Sequence, residues 1–119
     1  MYTTLISVAE LVALQASGQP LTVFDCSFDL MNPATADDLF ASGHLPGALH
    51  AHLDRDLAAH HGSVANGTAA SGGRHPLPTR EAFAQRLGQW GLTPSTQVVV
   101  YDRNGVNYCG RLWWMLKWL

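Results

Sequence analysis

The chain has 119 residues, of which 47% are hydrophobic, and this length and composition suit one domain with a single core. Charged residues make up 13%, about half of the ~25% usual for soluble domains, which predicts that a partner covers part of the surface. The net charge of −2 provides no basic surface for nucleic acid or anionic membrane, so we exclude both as partners.

Signals for export or membrane insertion are not apparent in the sequence. No basic and apolar leader opens it, and its apolar runs fall short of the ~20 residues needed to span a bilayer. Its two cysteines, Cys26 and Cys109, do not make a disulfide framework. We therefore expect a cytoplasmic protein.

A capping box predicts the start of the first helix. Ser7 and Glu10 stand three residues apart, so each side chain can bond the backbone amide of the other. We expect the helix to reach about residue 17 and to turn one apolar stripe inward, formed by Val8, Leu11, Val12 and Ala16. The predicted strand Leu21–Asp25 follows and carries a carboxylate at its end.

A polar connector with a short helix at residues 36–41 leads to the turn sequence Gly-His-Leu-Pro-Gly-Ala at residues 43–48. Its glycines permit tight turning and its proline fixes φ. His44 could be catalytic or could bond backbone groups in the turn. The second role is favoured, because no nearby residue completes a pair of base and nucleophile. Alternating polarity predicts a strand at residues 49–53.

Residues 58–75 are rich in glycine, alanine and serine, which predicts a mobile surface loop. Histidines in and around this loop raise the possibility of a metal site: His50, His52, His60, His61 and His75. Their spacing matches no zinc motif, so we expect no metal ion, and nothing points to a cofactor. Thr79 then predicts the cap of a helix at residues 80–90.

The last part of the chain predicts a strand, a loop and a helix. The apolar run at residues 98–101 is typical of a strand buried on both faces of a parallel sheet. From Asn107 onward, apolar residues on nearly every face predict a buried helix. Ligands bind at such junctions, so the loop between these elements is the candidate site. It comprises Asp102, Arg103, Asn104, Gly105, Val106 and Asn107.

Three further side chains have alternative interpretations. Arg111, one turn beyond the loop, is expected to pair with Asp25 or Asp102 in preference to binding a substrate anion. Cys109 is expected to be a small buried hydrophobe rather than a reactive thiol, and the same holds for Cys26.

Three segments in order resemble the rhodanese-like sulfurtransferases: GHLPGA, the capped helix after Leu77 and Pro78, and VVVYDRNGVNYCGRLWWML. The resemblance, which runs from Ser7 to Leu119, is to the first, non-catalytic half of the tandem-domain thiosulfate and 3-mercaptopyruvate enzymes. It implies an α/β fold with three α/β/α layers around a parallel sheet. Catalytic domains carry a Cys-x-x-Gly-x-Thr/Ser loop whose cysteine holds sulfane sulfur as a persulfide. Asp102 stands at that position, which implies a loop without a nucleophile.

The resemblance also implies partners. Domains of this family continue with a further strand, so the domain at residues 1–119 is expected to lack its last strand. A second rhodanese-like domain would carry the catalytic cysteine. The parent enzyme would move sulfur from thiosulfate or 3-mercaptopyruvate to cyanide or a thiol. The alternative is a stand-alone binding or regulatory module, and a weaker one is phosphatase chemistry, which also needs the cysteine.

Overall fold

A computed structural model of the chain describes residues 1–59 and 69–119. Its elements are helix α1 Val8–Ala16, strand β1 Leu21–Asp25, helix α2 Ala36–Ser42, strand β2 Leu49–His50, helix α3 Leu53–Asp56, helix α4 Arg80–Gln89, strand β3 Gln97–Tyr101 and helix α5 Cys109–Trp118. A short 3-10 turn, Pro33–Thr35, leads into α2. Much of the predicted mobile loop, residues 60–68, lies outside the described residues.

Within the described residues the sheet has three parallel strands in the order β2, β1, β3. The last residue of β1, Asp25, pairs with His50 on one side and with Tyr101 on the other. The carboxyl ends of all three strands therefore meet at one edge, which we call the rim. Asp25 and Asp102, which directly follows Tyr101, both lie at this rim.

Helices cover both faces of the sheet, as predicted for an α/β fold with three layers. On one face Phe24 packs with α4 and α5 residues such as Phe83, Leu112 and Met115. On the other face Val23 and Val99 pack against Leu14 of α1. Successive strand residues point to opposite faces, which is why neighbours in β1 belong to different clusters.

The predicted helix starts are confirmed at α1 and α4. The Ser7 hydroxyl accepts the amide of Glu10 at 3.2 Å, and the Ser7 amide donates to the Glu10 carboxylate at 2.7 Å. The Thr79 hydroxyl accepts the amide of Ala82 at 3.2 Å. The predicted stripe of α1 is wrong, however, because Val8 and Val12 lie on its exposed side.

The strand predicted at residues 49–53 is also wrong beyond His50. Helix α3 begins at Leu53, because the His52 ring accepts the amides of Asp54 and Arg55 at 3.2 Å each. A histidine can cap a helix in this way when one ring nitrogen is unprotonated. The alternating polarity of residues 49–53 predicts a longer strand because this pattern carries no information about helix capping by His52.

Strand β3 is less buried than predicted, because Val99 alone among its residues is buried. It pairs with β1 alone among the described strands, and its other edge faces a groove of about 250 Å³. The opposite wall of this groove, which we call the edge groove, is the segment at residues 2–6. The Gln97 side chain holds that segment, exchanging hydrogen bonds with the Tyr2 backbone at 3.0 and 3.1 Å. The Trp113 ring donates to the Thr3 carbonyl at 3.1 Å.

Helix α5 begins at Cys109, two residues later than predicted, and it is not buried all round. Cys109, Leu112 and Met115 form its buried stripe, whereas Trp113 and Trp114 are 38% and 45% exposed. Across residues 1–59 and 69–119, no helix combines the length and the apolar character needed to cross a membrane.

Candidate functional site

The fully buried Asp25 carboxylate organises the centre of the rim. It accepts the Ser27 amide at 2.8 Å and the Tyr101 hydroxyl at 3.0 Å. That hydroxyl in turn accepts the Leu45 amide at 2.9 Å, within the predicted Gly-His-Leu-Pro-Gly-Ala turn. Asp25 therefore links β1, β3 and the Gly-His-Leu-Pro-Gly-Ala turn. Each of its carboxylate oxygens accepts a hydrogen bond from the protein itself.

The Asp102 carboxylate organises the loop after β3. One oxygen accepts the backbone amides of Asn104 and Val106 at 2.8 and 2.9 Å. The other accepts the amides of Tyr108 and Cys109, both at 2.9 Å. Four amides thus converge on one side chain, and two of them belong to the start of α5. We call this arrangement the amide cradle.

The amide cradle stabilises the ionised form of Asp102. Burial alone raises the pKa of this carboxyl, but the four amides, led by that of Cys109, hold the pKa below its usual range. The helix N terminus adds a favourable dipole for a negative charge. At neutral pH the cradle is therefore filled by an anion that is part of the chain.

The loop backbone takes an unusual course around this carboxylate. Gly105 and Val106 have φ values of 67° and 63°, so two successive residues are left-handed. This conformation costs a side-chain-bearing residue on the order of 1–2 kcal/mol, and β-branching makes it rarer still. Val106 is 67% exposed, and Asn107 beside it is exposed too. Asn104 is partly buried and accepts the Phe28 amide at 3.4 Å.

Arg103 fastens the loop to the rest of the rim. Its amide donates to the Ser27 hydroxyl at 3.1 Å. Its guanidinium donates to the Leu39 carbonyl at 2.9 Å and to the Gly43 carbonyl, both at the end of α2. A cation at the C terminus of a helix is stabilising, and here it also joins the loop to the Gly-His-Leu-Pro-Gly-Ala turn.

Arg111 does not form the predicted ion pair, and this expectation is corrected. Its guanidinium donates to three backbone carbonyls, those of Leu57 (2.7 and 3.1 Å), His75 (3.0 Å) and Pro76 (3.5 Å). Asp25 and Asp102 bond instead to other groups of the rim. Arg111 instead holds the end of α3 and the chain before α4 against α5.

The two thiols lie in the core, as predicted. Cys109 is 3% and Cys26 is 1% exposed. Burial, reinforced by the neighbouring Asp102 carboxylate, raises the pKa of the Cys109 thiol to about 12. Burial also raises the pKa of the Cys26 thiol. Because the thiolate is the reactive form, neither cysteine is prepared to act as a nucleophile at neutral pH.

His44 takes the structural role expected of it. Its Nδ1 lies 2.7 Å from the Phe40 carbonyl oxygen, and its ring stacks on Phe40 with 3.7 Å between the centroids. In the described part of the chain, no group of three or more histidine, cysteine or acidic side chains is arranged to hold a metal ion. His60 and His61 lie outside that part.

Sequence patterns did not reveal two contributors to the rim, Ser27 and Tyr101. Each links segments distant in the chain, Ser27 to Arg103 and Tyr101 to Leu45. A tyrosine that ends an apolar strand is a usable signal, because its ring packs while its hydroxyl reaches a polar edge. Ser27 has no comparable signal.

Comparison with known proteins agrees with this geometry. A family model described as "Rhodanese-like domain" matches residues 7–119. The chain belongs to the rhodanese-like family. The fold is accordingly the α/β fold of that family, with the loop after β3 at its rim.

Sulfurtransferases are among the similar proteins. The chain is 38% identical over 119 residues to a "Probable 3-mercaptopyruvate sulfurtransferase" of Pseudomonas aeruginosa, covering 100% of this chain and 40% of the relative. It is 34% identical over 115 residues to the mouse 3-mercaptopyruvate sulfurtransferase (92% and 35%). It is 30% identical over 124 residues to the bovine thiosulfate sulfurtransferase (98% and 38%). The chain thus spans about two fifths or less of these relatives.

Proposed function

We propose that this rhodanese-like domain is the non-catalytic half of a tandem-domain sulfurtransferase. The parent enzyme would transfer sulfane sulfur from thiosulfate or 3-mercaptopyruvate to a thiophilic acceptor such as cyanide or a thiol. The names of the similar proteins support this reaction class. The observation that carries the non-catalytic role is the Asp102 carboxylate, which fills the amide cradle.

The reaction needs a nucleophile that a carboxylate cannot replace. A thiolate attacks the outer sulfur of thiosulfate, the S–S bond breaks, and its electron pair leaves on sulfite. With 3-mercaptopyruvate the C–S bond breaks, and the carbon is protonated to give pyruvate. Cyanide then takes the outer sulfur of the persulfide as thiocyanate and releases the thiolate. Asp102 has no sulfur to carry, and its charge repels an anionic donor from the cradle.

The buried thiols support the same conclusion. Cys109 donates its amide to Asp102 but keeps its sulfur in the core, where it is 3% exposed. A sulfur donor would have to enter the core and ionise a thiol whose pKa is raised to about 12. We therefore assign the nucleophile of the parent enzyme to a second rhodanese-like domain.

We also propose that residues 1–119 require a further strand. Among the described strands only β1 pairs with β3, so the other edge of β3 lies open along the edge groove, and such edges are normally covered. A parallel strand placed there would lie between β3 and the segment at residues 2–6. The greater length of the similar proteins provides chain for both this strand and the second domain.

The parent protein tests this proposal directly. Its coding sequence beyond Leu119 should contain a second repeat with a Cys-x-x-Gly-x-Thr/Ser loop. Serine in place of that cysteine should abolish thiocyanate formation from thiosulfate and cyanide. Cys109→Ala in the same protein, which removes a buried thiol instead, is the matched control and should retain turnover. Turnover that survives the cysteine replacement would overturn the assignment. Parallel assays with 3-mercaptopyruvate identify the preferred donor.

A further inference from the structure

Helix α3 begins at a histidine whose ring must be neutral. The Nδ1 atom of His52 accepts two backbone amides, those of Asp54 and Arg55, at 3.2 Å each. An imidazole nitrogen accepts hydrogen bonds only through its lone pair, so Nδ1 carries no proton and the ring proton is on Nε2. In the imidazolium form both nitrogens are donors, and Nδ1 would then face two N–H groups. The cap therefore exists only while His52 is uncharged.

Two further histidines hold the same helix through carboxylates. The Nε2 atom of His75 lies 2.9 Å from a carboxylate oxygen of Asp54. The Nδ1 atom of His50 lies 3.2 Å from a carboxylate oxygen of Asp37, which also binds α3 through Arg55 at 3.2 Å. Protonation strengthens both histidine–carboxylate contacts, because it places opposite charges together. The histidine cap responds in the opposite way, because protonation removes it.

The surroundings of the His52 ring contain no other acceptor for the start of α3. The titratable and charged groups on the elements around it are Asp25 of β1, Asp37 of α2, His50 of β2, Asp54, Arg55 and Asp56 of α3, and Arg86 of α4. The acidic groups of α2 and α3 already have partners: Asp37 with Arg55, Asp54 with His75, and Asp56 with Arg86. Phe28 packs edge-on against the ring with 5.4 Å between the centroids, and it brings no charge.

We propose that α3 is an acid-sensitive element beside the rim, which loses its cap and opens when His52 takes up a proton. Histidine is the residue whose charge ordinarily changes closest to neutral pH, so such a helix responds to mild acid. The opening reaches the core, because Leu53 and Leu57 at the ends of this segment are 6% and 1% exposed. It also reaches α5, because the Leu57 carbonyl accepts the Arg111 guanidinium at 2.7 Å.

The first experiment determines the tautomer of His52 by 15N NMR of the imidazole rings in the intact, unmodified protein. At pH 7.5 the Nδ1 atom of His52 should be unprotonated and its Nε2 atom protonated. A proton on Nδ1 at this pH would overturn the inference, because the ring could not then accept the two amides of α3.

The second experiment measures hydrogen exchange of the α3 amides in the intact protein, by mass spectrometry of peptides that span residues 53–57. Each rate is divided by that of the same peptide free in solution, which removes the intrinsic pH dependence of exchange. Protection should fall about fivefold between pH 7.5 and pH 5, the size of one lost helix cap. Helix α4, capped by the Thr79 hydroxyl, is the internal control and should keep its protection. Constant protection of α3, or an equal fall in both helices, would overturn the inference.

Replacements separate His52 from the other two histidines. His52→Asn supplies a cap that does not titrate, so the protection of α3 should be equal at the two pH values. His52→Ala supplies no cap, so protection should be low at both. His50→Gln and His75→Gln keep the cap and should keep the acid response. A response that survives His52→Asn, or that either glutamine replacement abolishes, would overturn the inference. Should a variant fail to fold, the tautomer measurement on the unmodified protein decides.

Discussion

The Asp102 carboxylate accepts the backbone amide of Cys109, the first residue of α5, at 2.9 Å. This bond ties the end of β3 to the start of the following helix through a side chain. The same carboxylate accepts three further amides of the loop, so the loop is shaped around a charge that the domain itself provides. Its stability and its pH dependence should both depend on Asp102.

Asp102→Asn should destabilise the domain. Asparagine keeps one side-chain oxygen but has an NH2 group in place of the other, and an NH2 group cannot accept hydrogen bonds. The two backbone amides that bond to the replaced oxygen therefore lose their acceptor. Each unsatisfied amide costs about 1–3 kcal/mol when buried, and partial exposure here places the total toward the lower end of that range. Denaturant unfolding measures the change. Asp29→Asn is the control, because Asp29 is exposed and accepts a single amide, that of Met31. Equal midpoints for the two variants would contradict the role of the cradle.

Acid should weaken the domain through Asp102. Its folded pKa lies below the usual 3.8, so its contribution to stability is present above that value and is lost as pH falls through the folded pKa. Unfolding free energies measured from pH 5 downward should fall less steeply in Asp102→Asn than in the unmodified chain. Parallel curves would show that Asp102 is not held in its ionised form.

His50 should add a second, milder pH dependence. Burial, with help from His52 and Arg55, lowers the pKa of His50 below 6.5, although Asp37 and Asp25 oppose the change. As pH falls, the His50 imidazole is therefore protonated in the unfolded chain before it is protonated in the folded one. The free energy of unfolding decreases as pH falls from about 6.5 toward the folded pKa. His50→Gln should flatten the stability profile between pH 7.5 and 5. An unchanged slope would exclude His50 as its source.

Arg111→Lys should destabilise the domain even though the charge is kept. The planar guanidinium bonds three carbonyls at once, and an ammonium group cannot match that fork. We expect a loss of about 1–3 kcal/mol, measured by denaturant unfolding. If lysine were as stable as arginine, the three carbonyl bonds would not be the source of stability.

Patterns within short segments predicted much of this domain. The caps at Ser7 and Thr79, the strand at Leu21–Asp25 and the loop opened by Asp102 all depend on neighbouring residues, and the structure has them. The position of Asp102 at the rim followed from the same local pattern.

Features that depend on distant segments could not be predicted. The partners of Arg111 are carbonyls, which every residue carries, so no side-chain pattern identifies them. The free edge of β3 depends on which strands are available to pair with it. The left-handed conformation of Val106 contradicts the preference of valine, because bonding to Asp102 outweighs that preference.

The claim that this domain has no nucleophile is tested most directly by incubating the 119-residue chain with thiosulfate and cyanide. Thiocyanate is measured, and the intact mass of the chain is recorded in parallel. The account predicts no thiocyanate above the protein-free blank and no added sulfur on the chain. Sustained turnover that Cys109→Ser abolishes would contradict it, because a buried thiol beside Asp102 would then be the nucleophile.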